Sequence, residues 1–103
     1  MDKKEEQSLS VAIGKAVAGD KGALETVVLS VRDMVFNLSL RMLGSFSDAE
    51  DAAQDILLKI ITHLSSFRGE SAFSTWAFRI AANYLIDYKK HMFARHPLSF
   101  EYY

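Results

Sequence analysis

Apolar residues recur at helical spacing along nearly the whole chain, and nowhere do they alternate strictly with polar ones. A helix buried on one face needs a period near 3.6, whereas a half-buried strand needs a period of two. The chain is therefore expected to be all-α. Five Gly and a single Pro, Pro97, break the pattern into about four helices, which predicts a compact bundle. The first helix is predicted over residues 8–18, with Leu9, Ile13, Ala16 and Val17 on one side. Gly19-Asp20-Lys21-Gly22 interrupts it, and Asp20 can cap the next helix. That second helix, over 22–43, carries Leu24, Val27, Val28, Val31, Val35, Leu38 and Met42 on its apolar face. Gly44 then stands where a residue of positive φ ends a helix.

Ser47-Asp48-Ala49-Glu50 reads as a capping box, which predicts a third helix over 48–64. A loop over 65–71 follows, containing Phe67-Arg68-Gly69: an aromatic and a cation beside a hinge residue. The fourth helix is predicted over 72–93, and His96-Pro97 cannot continue it. The expected organisation is an N-terminal helix in 1–19, a helical domain in 20–96 and the start of a linker in 97–103.

Composition narrows the function. At 103 residues and 50% hydrophobic, the chain can bury one core, though not a deep one. Twelve Lys+Arg against thirteen Asp+Glu exclude a uniformly basic nucleic-acid coat. The charge is nevertheless divided: up to Asp55 there are six basic and ten acidic residues, a net of −4, and after it six basic and three acidic, a net of +3. Such a division points to two surfaces with different partners. Without Cys there is no disulfide, thiolate metal site or Cys nucleophile. His63, His91 and His96 lack metal-ligand spacing, and no nucleophile–base pair, Gly-rich phosphate loop or HExxH motif occurs. The expectation is a protein without cofactor or catalysis. No apolar run reaches the ~20 residues of a membrane span, and the N-terminus does not read as a signal peptide, so a soluble cytoplasmic protein is expected.

Two helix faces carry residues that a core does not need. On the third helix Ala49, Ala53, Ile56, Leu57, Ile60 and Leu64 form the core stripe. Asp51, Gln54, Asp55, Leu58 and Thr62 fall within about 100° of one another on a second stripe. A solvated face accounts for the charges, but Leu58 among carboxylates and an amide resembles the anchor of a protein contact. On the fourth helix Phe73, Ala77, Ile80, Ala81, Tyr84 and Tyr88 face the core. Thr75, Arg79, Asn83 and Lys90 gather opposite, with Trp76 at their border and Lys89 and Arg95 extending the positive charge. Cations neutralise phosphates, Asn pairs with a base edge, and Trp76 or Phe67 offers a flat face to an unstacked base. The plainer alternative is a core Trp beside an ordinary solvated face.

The order of the pieces is more specific than any one of them. Ser47-Asp48-Ala49-Glu50-Asp51-Ala52-Ala53-Gln54-Asp55, Ser66-Phe67-Arg68-Gly69, Phe73-Ser74-Thr75-Trp76, Arg79-Ile80-Ala81-Ala82-Asn83 and Asp87-Tyr88-Lys89-Lys90 follow one another along the chain. The series resembles region 2 of the extracytoplasmic-function (ECF) group of bacterial sigma factors, in the sigma-70 family, over about residues 20–92. Ala77-Phe78 after the Trp and the Lys pair at 89–90 depart from the usual pattern. The resemblance implies a transcription initiation factor domain that docks on core RNA polymerase and melts and reads the promoter −10 element. By position, Asp51, Gln54, Asp55 and Leu58 would meet the β′ clamp helices. A flipped non-template base would lie between a loop wall of Phe67, Arg68 and Gly69 and a helix side of Arg79 and Asn83. Trp76 would support that pocket or stack at the bubble edge, and Lys89, Lys90 and Arg95 would hold phosphates. An anti-sigma partner is implied as well. So is a second helical domain, region 4, which this sequence does not contain, as expected of a domain fragment or a truncated form. The rival reading is a sigma-like adaptor or sensor that binds proteins only.

Overall fold

The computed structural model describes residues 3–95, and side chains over 3–92. Four α-helices make up the domain: α1 (Lys3–Val17), α2 (Lys21–Leu43), α3 (Phe46–Thr62) and α4 (Phe73–Arg95). A short 3-10 helix, Leu64–Ser66, follows α3. No strand occurs among the described residues, as the periodicity requires. No described helix is long and apolar enough to cross a membrane. The expectations for Arg95's side chain, for His96-Pro97 and for residues 97–103 lie outside the described residues.

Helix α2 is the centre of the bundle and touches the other three helices. Its ends are set by the two residues that the sequence singles out. The Asp20 carboxylate accepts the Ala23 N–H at 3.0 Å, satisfying one of the free donors of the first turn. Gly44, at φ 69°, turns the chain into the left-handed region and donates its N–H to the Leu40 carbonyl at 2.9 Å. Between them Val27, Val31 and Val35 are fully buried at four-residue spacing. Ser39 continues the row, its buried hydroxyl donating to the Val35 carbonyl at 2.7 Å. Against this row pack Ala52, Ala53, Ile56 and Ile60 of α3 and Phe73, Ala77, Ala81 and Leu85 of α4. The alanines leave room for close helix approach, while Ile56 and Leu85 fill the volume between.

Several boundaries differ from expectation. Helix α1 begins at Lys3 rather than near residue 8, and it buries only Leu9 and Ile13. Val17, expected on the core side, is 50% exposed, because it is the last residue of the helix and the chain turns away at Gly19. The cap of α3 is Ser45, not Ser47: the Ser45 hydroxyl accepts the Asp48 N–H at 3.3 Å. The turn at Gly44 leaves Ser45 extended, at φ −130° and ψ 128°, which is the geometry of a cap. Phe46 then meets the ring of Phe36 edge-on at 5.4 Å, so Ser47 and Asp48 already lie inside the helix. At the other end α3 stops at Thr62, and Leu64, buried, enters the core from the 3-10 helix. Ala52 and Leu85 belong to the core as well, although neither was placed there from the sequence.

Candidate nucleic-acid and polymerase interface

The loop after the 3-10 helix is pinned by rings. Phe67 meets Phe73 edge-on at 5.3 Å and Trp76 at 5.4 Å, while Phe73 and Trp76 stack at 5.5 Å. Phe73 is buried and the other two are half-buried, so the cluster ties the loop to the first turn of α4. Gly69 completes the turn at φ 75°, a conformation an L side chain rarely adopts. Phe67 and Trp76 therefore have only part of their faces available, and Trp76 is a packed wall rather than a free stacking platform.

On the outer side of this cluster lies a cleft of about 320 Å³ lined by Phe67, Arg68, Glu70, Trp76 and Arg79. Arg68 and Arg79 are exposed and make no ion pair or hydrogen bond among the described residues. Asn83 is exposed and without a hydrogen-bond partner as well, but it does not share that cleft. It borders a second one, of about 650 Å³, between the end of α3 and the distal half of α4. Trp76 and Ser66 form the partition between the two. Gly69 faces a third cleft, towards α1, beside Leu9 and Phe73. The residues expected around one pocket line different clefts: Phe67, Arg68 and Arg79 share one, Asn83 borders a second across Trp76, and Gly69 lies on a third together with Phe67. Lys90 is exposed and lies about 20° round the helix from Asn83, while Lys89 is half-buried on another face. Glu70, Lys59, Tyr88 and His91, which no sequence motif assigns to a site, line these clefts. A helix wheel places Tyr88 and His91 but cannot say that α3 ends beside them.

The α3 stripe is at the surface. Asp51, Gln54 and Asp55 are exposed, and Leu58 is 61% exposed, a large apolar side chain with no internal partner. Asp55 differs from its neighbours by accepting the Tyr84 hydroxyl of α4 at 2.7 Å. Burial, and then the Asp55 hydrogen bond and charge, push the Tyr84 phenol up to about 12. This bond joins the α3 stripe to the α4 clefts across their shared edge. Among the described residues no group of three or more His, Asp or Glu could hold a metal ion.

The sigma-70 region 2 family model matches residues 27–91, most of the chain. The chain belongs to the sigma-70 region 2 family. It is similar to the ECF RNA polymerase sigma factor SigW of Bacillus subtilis, at 35% identity over 82 residues, 80% of this chain and 44% of that protein. It resembles the RNA polymerase sigma-H factor of Pseudomonas aeruginosa at 39% identity, over 75% of this chain and 38% of that protein. The ECF RNA polymerase sigma-E factor of Escherichia coli K12 is 36% identical over 76% of the chain and 40% of its own length. The chain thus spans about two fifths of the relatives it matches. Sigma factors are initiation factors rather than enzymes, and the all-helical architecture is that of a region 2 domain. Helix α1 lies outside the matched residues.

Proposed function

We propose that this sigma-70 region 2 domain docks on core RNA polymerase through α3 and captures an unstacked base of the non-template −10 element beside α4. The carrying observation is that Arg79 is exposed and unpaired, directly behind the ring-pinned Phe67 loop and beside an open cleft. Exposed guanidinium groups beside a cleft suit an external acceptor, either a base edge or a phosphate. Unstacking a base costs about a few kcal/mol, and contact with aromatic groups returns about 1–3 kcal/mol per base. With Lys59, Arg68, Arg79 and Lys90 as its exposed cations here, the domain neutralises few phosphates, so its own DNA affinity is weak and falls with salt. Docking on polymerase supplies the rest through effective concentration.

For that docking, Leu58 supplies a buriable apolar centre, and Asp51, Gln54 and Asp55 supply acceptors for basic residues on the β′ clamp helices. An anti-sigma factor covering the same face would compete with polymerase. The place of action is the cytoplasm, where polymerase and promoter are.

The test is binding of a single-stranded oligonucleotide, selected from a random pool on the wild-type chain held on core polymerase. Binding weakens with salt, with scrambling of the selected sequence and with Arg79→Ala. If scrambling changes nothing at any salt, base readout is refuted and a protein-only adaptor is left.

A further inference from the structure

The larger cleft enters the reading above only through Asn83, yet it has about twice the volume of its neighbour, 650 against 320 Å³. Its walls are flat and apolar where bases would need them: Trp76, Ile80 and the stacked pair Tyr84 and Tyr88, whose rings lie 6.3 Å apart at 30°. Its rim is polar and asymmetric. His63 Nδ1 lies 2.8 Å from the Lys59 carbonyl, and His91 Nδ1 lies 2.8 Å from the Asp87 carbonyl. A carbonyl can only accept, so in each neutral ring the proton is on Nδ1 and Nε2 is left as an acceptor. With the Asp87 carboxylate these make three acceptors; the Lys59 ammonium donates only, and the Asn83 amide and the Ser66, Tyr84 and Tyr88 hydroxyls can donate or accept.

The smaller cleft has the opposite balance. Arg68 and Arg79 donate only, and Glu70 is the one acceptor among its charged groups. Trp76 lines both clefts, and it is held by Phe67 and Phe73, whose rings lie 5.4 and 5.5 Å from it and 5.3 Å from each other.

We propose that the domain takes two neighbouring bases from the single strand, one on each side of Trp76, with the second entering the cleft between α3 and α4. This rests on the base-capture reading and extends it. The rim chemistry assigns the bases by class. The Arg68–Arg79 cleft takes a base presenting acceptors, guanine or thymine, and the Asn83–His91 cleft takes one presenting an exocyclic amine, adenine or cytosine. Asp87 and the nearby Asp55 repel phosphate, so the second base enters edge-first while its backbone stays on the side of Arg79 and Lys90.

The experiment holds the full chain on core polymerase and measures binding of oligothymidylate strands carrying each of the sixteen dinucleotides at the centre. Wild type prefers a particular base at both positions. Arg79→Ala flattens the preference at one position, while Asn83→Ala and His91→Ala flatten it at the other. Each flattening is expected at about 5-fold or more, the lower end of what one good hydrogen-bonded base contact discriminates. All three residues are exposed, and unchanged melting of the variants confirms the fold is spared. A preference at one position only, or all three variants acting at the same position, overturns the two-base proposal and leaves single-base capture standing. No base preference at either position overturns both.

Discussion

Tyr84→Phe isolates the one long-range side-chain hydrogen bond between α3 and α4 among the described residues. The substitution keeps the ring, and with it the stacking on Tyr88, and removes only the hydroxyl that donates to Asp55 at 2.7 Å. Hydrogen bonds to charged groups contribute about 1.5–3 kcal/mol, and neutral ones about 0.5–1.5 kcal/mol. Asp55 is exposed, so water replaces the lost donor and no buried orphan results, which places the expected loss near 1 kcal/mol. In a domain of this size that is a fall of about 4–8 °C in Tm.

The pH dependence gives the bond a signature. Below pH 10 the phenol is protonated in both states and the contribution is fully present. An unfolded tyrosine loses its proton near pH 10. The folded Tyr84 keeps its own up to about 12, through burial first and the Asp55 bond second. Above pH 10 the folded state therefore binds more protons than the unfolded one, and stability falls as pH rises. Urea denaturation of wild type and variant at pH 7 and at steps up to 12 is the assay. The gap in unfolding free energy is expected near 1 kcal/mol at pH 7 and shrinks between pH 10 and 12. Equal midpoints at pH 7, or a gap that does not shrink over that interval, would refute the reasoning.

Ile56 is fully buried between α2 and α4, so Ile56→Ala should cost about 2–5 kcal/mol, read as a shift of the denaturant midpoint at unchanged slope. Leu58→Ala should leave stability within about 0.5 kcal/mol, because the side chain is 61% exposed, yet reduce capture of a β′ clamp-helix fragment; undiminished capture would place the polymerase contact elsewhere.

Much of this architecture was legible in the sequence because its signals are local. Asp20 and Gly44 end α2 through hydrogen bonds within a few residues, and the four-residue rows of Val and Ala need only helical geometry. The α3 cap was misplaced for a related reason. Ser45-Phe46-Ser47-Asp48 and Ser47-Asp48-Ala49-Glu50 both fit a capping pattern, and only the turn at Gly44 and the Phe36 contact choose between them. What one chain could not reveal is what a second helix does to a face. The sequence puts Asp55 on the outward stripe with Asp51, Gln54 and Leu58, but only the fold brings Tyr84 to it from 29 residues away. Arg79 and Asn83 share a helix stripe, but the end of α3 and the Phe67 loop put them in separate clefts divided by Trp76. A helical wheel gives direction about one axis and carries no information on the neighbour it meets.

A fluorescence scan tests the central claim most directly. A 2-aminopurine, whose emission responds to loss of stacking, is placed at each position in turn of the selected strand bound to the chain on core polymerase. Base capture beside α4 predicts a local change in emission confined to one position or two adjacent ones, and its loss on Arg79→Ala or Asn83→Ala. Uniform emission along the strand, or a local change that neither substitution disturbs, would contradict it.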